Sequence, residues 1–414
     1  MKSFVKIATS VVALSLAQQA SADVTIRLTG STAFRAAVHK SIIAMMGGDG
    51  ATKIAHSGGA QTQSAMEGAG FATFSGSVPG ITGTTYVQCS WSGSATGIAS
   101  VATGSTSLNY IPTSSLPGTN GVATAALVSA SAGGAPAARF AMSDVYQSAT
   151  SVRSPALTNA NVAIVPFVWV SNEGSTLTNM TAQQVRALYA LGTQPRSMWT
   201  GNAADTDLVY CTGRDTGSGT RITALAETKY GITTAVNQWG AVATSGNAVT
   251  ELRLWPSTAN TDAEAVTLGG RDATAANGGY SSGGSVRNLM GLTSASVDIY
   301  DSDDNLVNSG EALTLVSYLG SSDAATAVTN GAVRLKYEGV DYDETTTGPA
   351  YIQEGLYTFW GYQHLYTSSL STDEGTFRTR LITQLDVAAN ITGVGLRAGL
   401  MHVFRQSDGA VVGP

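Results

Sequence analysis

Apolar and polar positions alternate from Val24 to Leu28, which predicts a strand. Thr29-Gly30-Ser31-Thr32 follows as turn chemistry, and Ala33 to Met46 then reads as a helix that Gly47-Gly48 ends. The same order of strand, small-residue loop and helix recurs. Thr85 to Cys89 is a strand, Ser92 to Gly97 a loop, and a short helix is expected from Ile98. Ala138 to Met142 is a strand ending at Ser143-Asp144, and Asn161 to Val170 is a Val-rich run suited to a buried strand. Thr181-Ala182-Gln183-Gln184 has the form of a capping box and opens a helix to about Leu191, closed by Gly192. Leu208 to Cys211 is a strand that runs into Gly213 to Thr220, and a helix to about Lys229 follows. Leu313 to Leu319 is a further strand, Gly355 to Leu365 is rich in aromatic residues, and Phe377 to Ala389 reads as a helix. Alternation of strands and helices predicts an α/β chain with mainly parallel sheets and flanking helices. No fixed-period repeat is present, which disfavours solenoids and propellers.

Composition narrows the function. Hydrophobic residues make up 43% of the 414, enough to bury a core, so disorder is disfavoured. Charged residues are only 12%, with 22 basic against 28 acidic, which disfavours a nucleic-acid binder. The length suits two or three domains. At the amino terminus Lys2 and Lys6 precede an apolar stretch from about Ile7 to Leu16, and Ala20-Ser21-Ala22 supplies a small-x-small cleavage pattern before Asp23. Residues 1–22 therefore read as a signal peptide, too short in its apolar part to span a membrane, and the expectation is a periplasmic or secreted protein. Cleavage leaves 20 basic and 28 acidic residues, a net charge of −8. Cys89 and Cys211 fit an oxidising compartment without demanding a disulfide, and no His lies in metal-ligand spacing, so neither a metal nor a cofactor is expected.

Three small-residue loops carry the candidate chemistry: Gly30-Ser31-Thr32, Gly93-Ser94-Ala95-Thr96-Gly97 and Gly217-Ser218-Gly219-Thr220. Each follows a strand. A helix amino terminus offers unpaired amides and a partial positive charge, glycine lets backbone approach a ligand, and Ser or Thr adds a hydroxyl. Ligands of open α/β sheets bind at the carboxyl ends of the strands. Arg214 stands four residues before Ser218, where its fork can grip an anion, and Asp215 beside it is a candidate to orient it. Asp301-Ser302-Asp303-Asp304-Asn305 has part of a calcium loop but lacks its Gly and closing Glu, so a solvated turn is expected. Ser218 lacks the Gly-x-Ser-x-Gly setting of a nucleophile, and the chain is not expected to be an enzyme.

The run Arg214-Asp215-Thr216-Gly217-Ser218-Gly219-Thr220 resembles the signature of the periplasmic phosphate-binding proteins that serve ABC phosphate importers. Leu28 to Phe34 looks like that family's first anion loop, Ser92 to Ile98 like its second, and Met142-Ser143-Asp144 like its ligand-facing step. The likeness extends over most of 23–405. It implies a two-lobed periplasmic binding protein fold of type II, with one lobe from 23–165 and 320–414 and the other from 166–319. It implies an inorganic phosphate ligand held by Ser31, Thr32, Phe34, Ser94, Asp144, Arg214, Ser218, Gly219 and Thr220, an ABC permease as partner, and a monomer. In that family pattern Asp144 accepts a phosphate proton that sulfate does not carry. Here Thr216 stands where the family often has an acid after the Arg. The competing expectation is a secreted structural or adhesive β-protein without anion binding, suggested by the Gly/Ser/Thr/Ala-rich 90–135 and 240–285.

Overall fold

The structure, a computed structural model, describes residues 22–131, 133–245, 248–255, 265–268, 271–274 and 278–414. The leader expected over 1–22 lies, but for its last residue, outside the described residues. The alternating segment after Asp23 forms β1 (Val24–Gly30), and α1 (Arg35–Met45) follows a four-residue loop. After strands over Lys53–His56 and Phe71–Gly76, which lie towards one edge of the sheet, come β2 (Thr85–Ser90), α2 (Ser94–Thr103), β3 (Phe140–Ser143) and β4 (Thr158–Ser171). α3 (Ala182–Leu191), β5 (Leu208–Cys211), α4 (Gly219–Glu227) and α5 (Gly283–Met290) continue the chain. It ends with β6 (Thr314–Gly320), α6 (Ser321–Thr329), β7 (Val333–Tyr337), β8 (Trp360–Thr367) and α7 (Thr372–Leu385).

Local chemistry sets several of these boundaries. The capping box of α3 forms as expected: the Gln184 amide donates to Thr181 Oγ1 at 3.2 Å, and the Thr181 amide donates to Gln184 Oε1 at 2.8 Å. Gly192, at φ +80°, closes the helix in the left-handed region. A second capping box, Ser371 with Glu374, starts α7 five residues before the expected Phe377. α2 likewise starts at Ser94, four residues before the expected Ile98, so Ser94, Ala95 and Thr96 form its first turn.

β4 joins two lobes. Its first half, from Thr158 to Pro166, pairs antiparallel with β8, and beyond β8 lie β3, β1 and β2 in parallel register. Its second half, from Phe167 to Ser171, pairs with β6 on one side and β7 on the other, and β6 pairs parallel with β5. Pro166, which has no amide to give a ladder, sits where the strand passes from one set of partners to the other. The fold is thus the expected two-lobed α/β architecture, with parallel strands at the centre of each lobe and antiparallel strands where the lobes join and towards both outer edges. β7 follows residue 320 yet pairs with the second half of β4, so the chain rejoins the first sheet only at Trp360. The all-β architecture of a structural or adhesive surface protein is not what this chain builds.

The continuous apolar run of β4 is buried from Val162 to Ser171, as a strand covered on both faces requires. Trp169 stacks on Phe359 with ring centroids 4.9 Å apart and meets Tyr318 edge-on at 5.6 Å. The chain end runs back over both lobes. Arg405 lies 4.1 Å above the Trp360 ring of β8 and 3.2 Å from Glu227 of α4. A separate four-stranded sheet, 238–245, 248–255, 293–300 and 306–311, is inserted after α4. Cys89 and Cys211 are buried free thiols. No helix among the described residues is long and apolar enough to cross a membrane.

Candidate functional site

The three loops meet. β1 and β3 run parallel with Gly30 opposite Met142, so the first loop and the Ser143-Asp144 step leave the sheet side by side. Gly30 at φ +116° turns the chain there, and the Ser31 amide donates to the Met142 carbonyl at 2.8 Å. β2 lies on the other side of β1 and delivers Gly93, whose amide donates to the Gly30 carbonyl at 2.9 Å. From the other lobe, β5 delivers the loop 212–218 and α4. The Gly217 carbonyl accepts from the amides of Ala95 at 2.9 Å and Thr96 at 3.4 Å. The amino ends of α2 and α4 therefore face each other across the lobe boundary.

Asp144 is at the centre. It is 1% exposed and accepts from the hydroxyl of Ser94 at Oδ1 and from that of Thr220, at 3.2 Å, at Oδ2. Gly219 lies against it: a Cβ there would overlap Asp144 Oδ1 and come 2.6 Å from Ser94 Oγ. Burial pushes the Asp144 carboxyl above the ordinary aspartate range, while the hydrogen bonds from Ser94 and Thr220 and the Arg214 charge favour its ionised form. Two donors leave about two of the four acceptor directions of a carboxylate for something else.

Arg214 is 2% exposed, and its guanidinium is fixed from three sides. Nε donates to the Tyr280 carbonyl at 2.9 Å, one terminal nitrogen to the Ser281 carbonyl at 3.0 Å, and the other to Thr32 Oγ1 at 3.2 Å. Carbonyls, rather than Asp215, orient the fork. Asp215 instead accepts from the Gly217 amide at 3.0 Å and shapes the loop. Burial pushes its carboxyl up to about 6, against the pull of Arg214 and the Gly217 amide. An aspartate in the unfolded chain titrates at about 3.9. Between those values the folded chain holds a proton that the unfolded chain has released, so stability falls as pH rises through that window and is level above it. Melting curves of the ligand-free protein are therefore expected to fall relative to those of Asp215→Asn from about pH 4 to 6 and to keep a constant offset at pH 7 to 8. Parallel curves throughout would contradict the assignment.

The remaining expected residues have distinct positions. Ser31 Oγ is buried and has no hydrogen-bond partner among the described residues, while the Thr32 hydroxyl faces Arg214. Phe34 is fully buried and stands just before α1, with no capping bond from its side chain. Ser218 caps α4, its hydroxyl accepting from the Arg221 amide at 3.2 Å. Asp301 turns its Oδ1 onto the amides of Asp303 and Asn305, each at 2.9 Å, as a solvated turn does.

Sequence reasoning missed the support behind Arg214. Tyr318 Oη accepts from the Arg214 amide at 3.1 Å, and Arg221 and Gln238 both donate to the Arg214 carbonyl, at 2.9 and 3.3 Å. Tyr280 is held in turn: its hydroxyl accepts from the Ala241 amide at 3.0 Å, and its ring meets Trp255 at 5.1 Å. The inserted sheet thus buttresses the arginine loop. Among these, only the aromatic character of Tyr280 and Trp255 inside a Gly-rich stretch marks anything in the sequence.

No known family profile matches the chain, and no curated protein matches it. Solved structures do. One, from Clostridium perfringens, is described as a phosphate ABC transporter substrate-binding protein with bound phosphate. It is 10% identical, covers 90% of this chain and 98% of its own, and has a TM-score of 0.47. An ABC-type phosphate transport receptor from Vibrio cholerae is 12% identical over 90% of this chain and 99% of its own, with a TM-score of 0.42. PstS from Borrelia burgdorferi is 12% identical over 90% and 98%, with a TM-score of 0.38. At such values the likeness adds nothing to the chemistry of the site, which stands on its own loops.

Proposed function

We propose that this chain is an exported solute-binding protein that captures inorganic phosphate between its lobes for ABC-type import and does no chemistry on it. In this reading one lobe comprises 23–165 with the chain from Trp360 on, and the other runs from 166 through β7. The observation that carries it is the meeting of Ser94, Asp144, Gly219 and Thr220 across the lobe boundary, with Arg214 held against Thr32 beside them. Arg214, the amides at the start of α4 and the hydroxyls of Ser31 and Thr32 would donate to the anion, while the Ser94 hydroxyl stays on Asp144. Asp144 would accept its proton. The unpartnered Ser31 hydroxyl is a donor that such a ligand satisfies. In an acidic chain, capture of an anion rests on local donors rather than on a basic field.

Calorimetric titration of residues 23–414 against phosphate, arsenate, sulfate and molybdate tests the reading. Phosphate is expected to bind with a Kd of about 1 μM or below, with sulfate weaker by about 100-fold or more, as an unpaired buried charge facing sulfate implies. Absence of heat with phosphate, at a concentration that also leaves the melting temperature unmoved, would overturn it.

A further inference from the structure

Arg35 directly follows the first loop, and phosphate capture leaves it unused. It opens α1 and is 5% exposed. Its guanidinium donates to the carbonyls of Thr32 and of Gly68, the latter at 2.9 Å, and to Asp323 Oδ1 at 3.2 Å. Asp323, in the first turn of α6, also takes Arg287 of α5, at 3.0 Å. Two guanidiniums therefore share one carboxylate. Both line a cavity of about 110 Å³, together with Thr32, Ser64, Glu67 and Asp323. Glu67 does not balance the second arginine, because Lys40 lies 3.7 Å from it.

The third guanidinium is close by. A Cβ on Gly283, at the start of α5, would lie 3.9 Å from a terminal nitrogen of Arg214 and would overlap Asp323 Oδ2. A Cβ on Gly284 would lie 3.4 Å from Arg287 and 3.7 Å from Arg35. Three arginines thus approach the first turn of α5. Arg287 Nε is buried and has no hydrogen-bond partner among the described residues. Arg35 and Arg287 share the one Asp323 carboxylate, so an anion in the cavity would add the counter-charge that the second guanidinium only half receives. The cavity has the volume of three to four waters at about 30 Å³ each, room for a phosphoryl group.

We propose that this cavity is a second anion subsite, joined to the loop site through Thr32, and that the protein's solute carries two anionic groups, of the diphosphate class. One group is held by Arg214 and the amides at the start of α4, the other by Arg35 and Arg287. This inference rests on the phosphate reading and extends it: inorganic phosphate fills only the first half of the site.

The test is calorimetric titration of residues 23–414, in the presence of a metal chelator, with inorganic phosphate and with inorganic pyrophosphate. Pyrophosphate is expected to bind at least about tenfold tighter than phosphate, the gain of one charge-assisted pair, and Arg287→Gln is expected to remove that advantage. Arg287→Lys, which keeps the charge, is expected to restore part of it. Equal or weaker binding of pyrophosphate by the wild-type protein would overturn the subsite while leaving phosphate capture standing. Equal weakening of both anions by Arg287→Gln would assign Arg287 to loop support and also overturn it. Failure of both anions to bind would remove the phosphate reading as well. Should Arg287→Gln not fold, the wild-type ratio alone decides.

Discussion

In Asp144→Asn, phosphate and sulfate are expected to bind within about tenfold of each other, where the wild-type protein separates them by about 100-fold or more. The reason lies in what the carboxylate can do. Ser94 and Thr220 use two of its acceptor directions, and its burial leaves no water to soften a like charge. A protonated phosphate oxygen donates to one of the remaining directions. Sulfate has no proton to give, so its binding buries two facing anions at a cost of about 1–3 kcal/mol or more. Asparagine keeps one acceptor and adds a donor, and so serves both anions. Phosphate affinity itself is expected to fall less than sulfate affinity rises. Titrations in which discrimination survives the substitution would take Asp144 out of selectivity.

Gly219→Ala is expected to lower phosphate affinity by about 100-fold or more while leaving the chain folded. Gly219 is the first residue of α4, and its φ is not in the left-handed region, so alanine suits the helix better than glycine does by about 1 kcal/mol. The obstacle is across the lobe boundary. The new methyl would overlap Asp144 Oδ1 and sit 2.6 Å from Ser94 Oγ and 2.7 Å from Ser94 Cβ. Those atoms belong to the other lobe, so relief comes from holding the lobes apart, and an anion between them then loses contact with one side. Expected together are an unchanged or lowered melting temperature without ligand, since the bonds of Thr220 and Gly217 across the boundary are lost, and little further rise with phosphate. Wild-type affinity in this variant would mean that the anion does not sit where the two lobes meet.

The loops, the parallel strands that carry them and the capping box at Thr181 were legible because their chemistry is local: hydrophobic period, glycine at a turn, hydroxyl before a helix. Other features were not. α2 begins at Ser94 on Gly93, which has no side-chain cap to announce it. The seat of Arg214 is made by the carbonyls of Tyr280 and Ser281, and any residue type supplies a carbonyl. Asp215, the neighbour that the sequence suggested, turns instead to the amide of Gly217, two residues on. Arg35 and Asp323 meet from 288 positions apart, and no short-range pattern encodes such a pair. The Gly/Ser/Thr/Ala-rich stretch over 240–285 suggested a structural or adhesive β-protein, yet Ala241 and Trp255 within it, with Gln238 just before it, brace the arginine loop.

The most direct measurement is a crystal structure of residues 23–414 grown with phosphate at a saturating concentration. One tetrahedral anion is expected between the lobes, within hydrogen-bond distance of Asp144, Arg214 and the Gly219 amide. Density for phosphate only on the outer surface, or none between these loops when titration shows the site to be saturated, would contradict it.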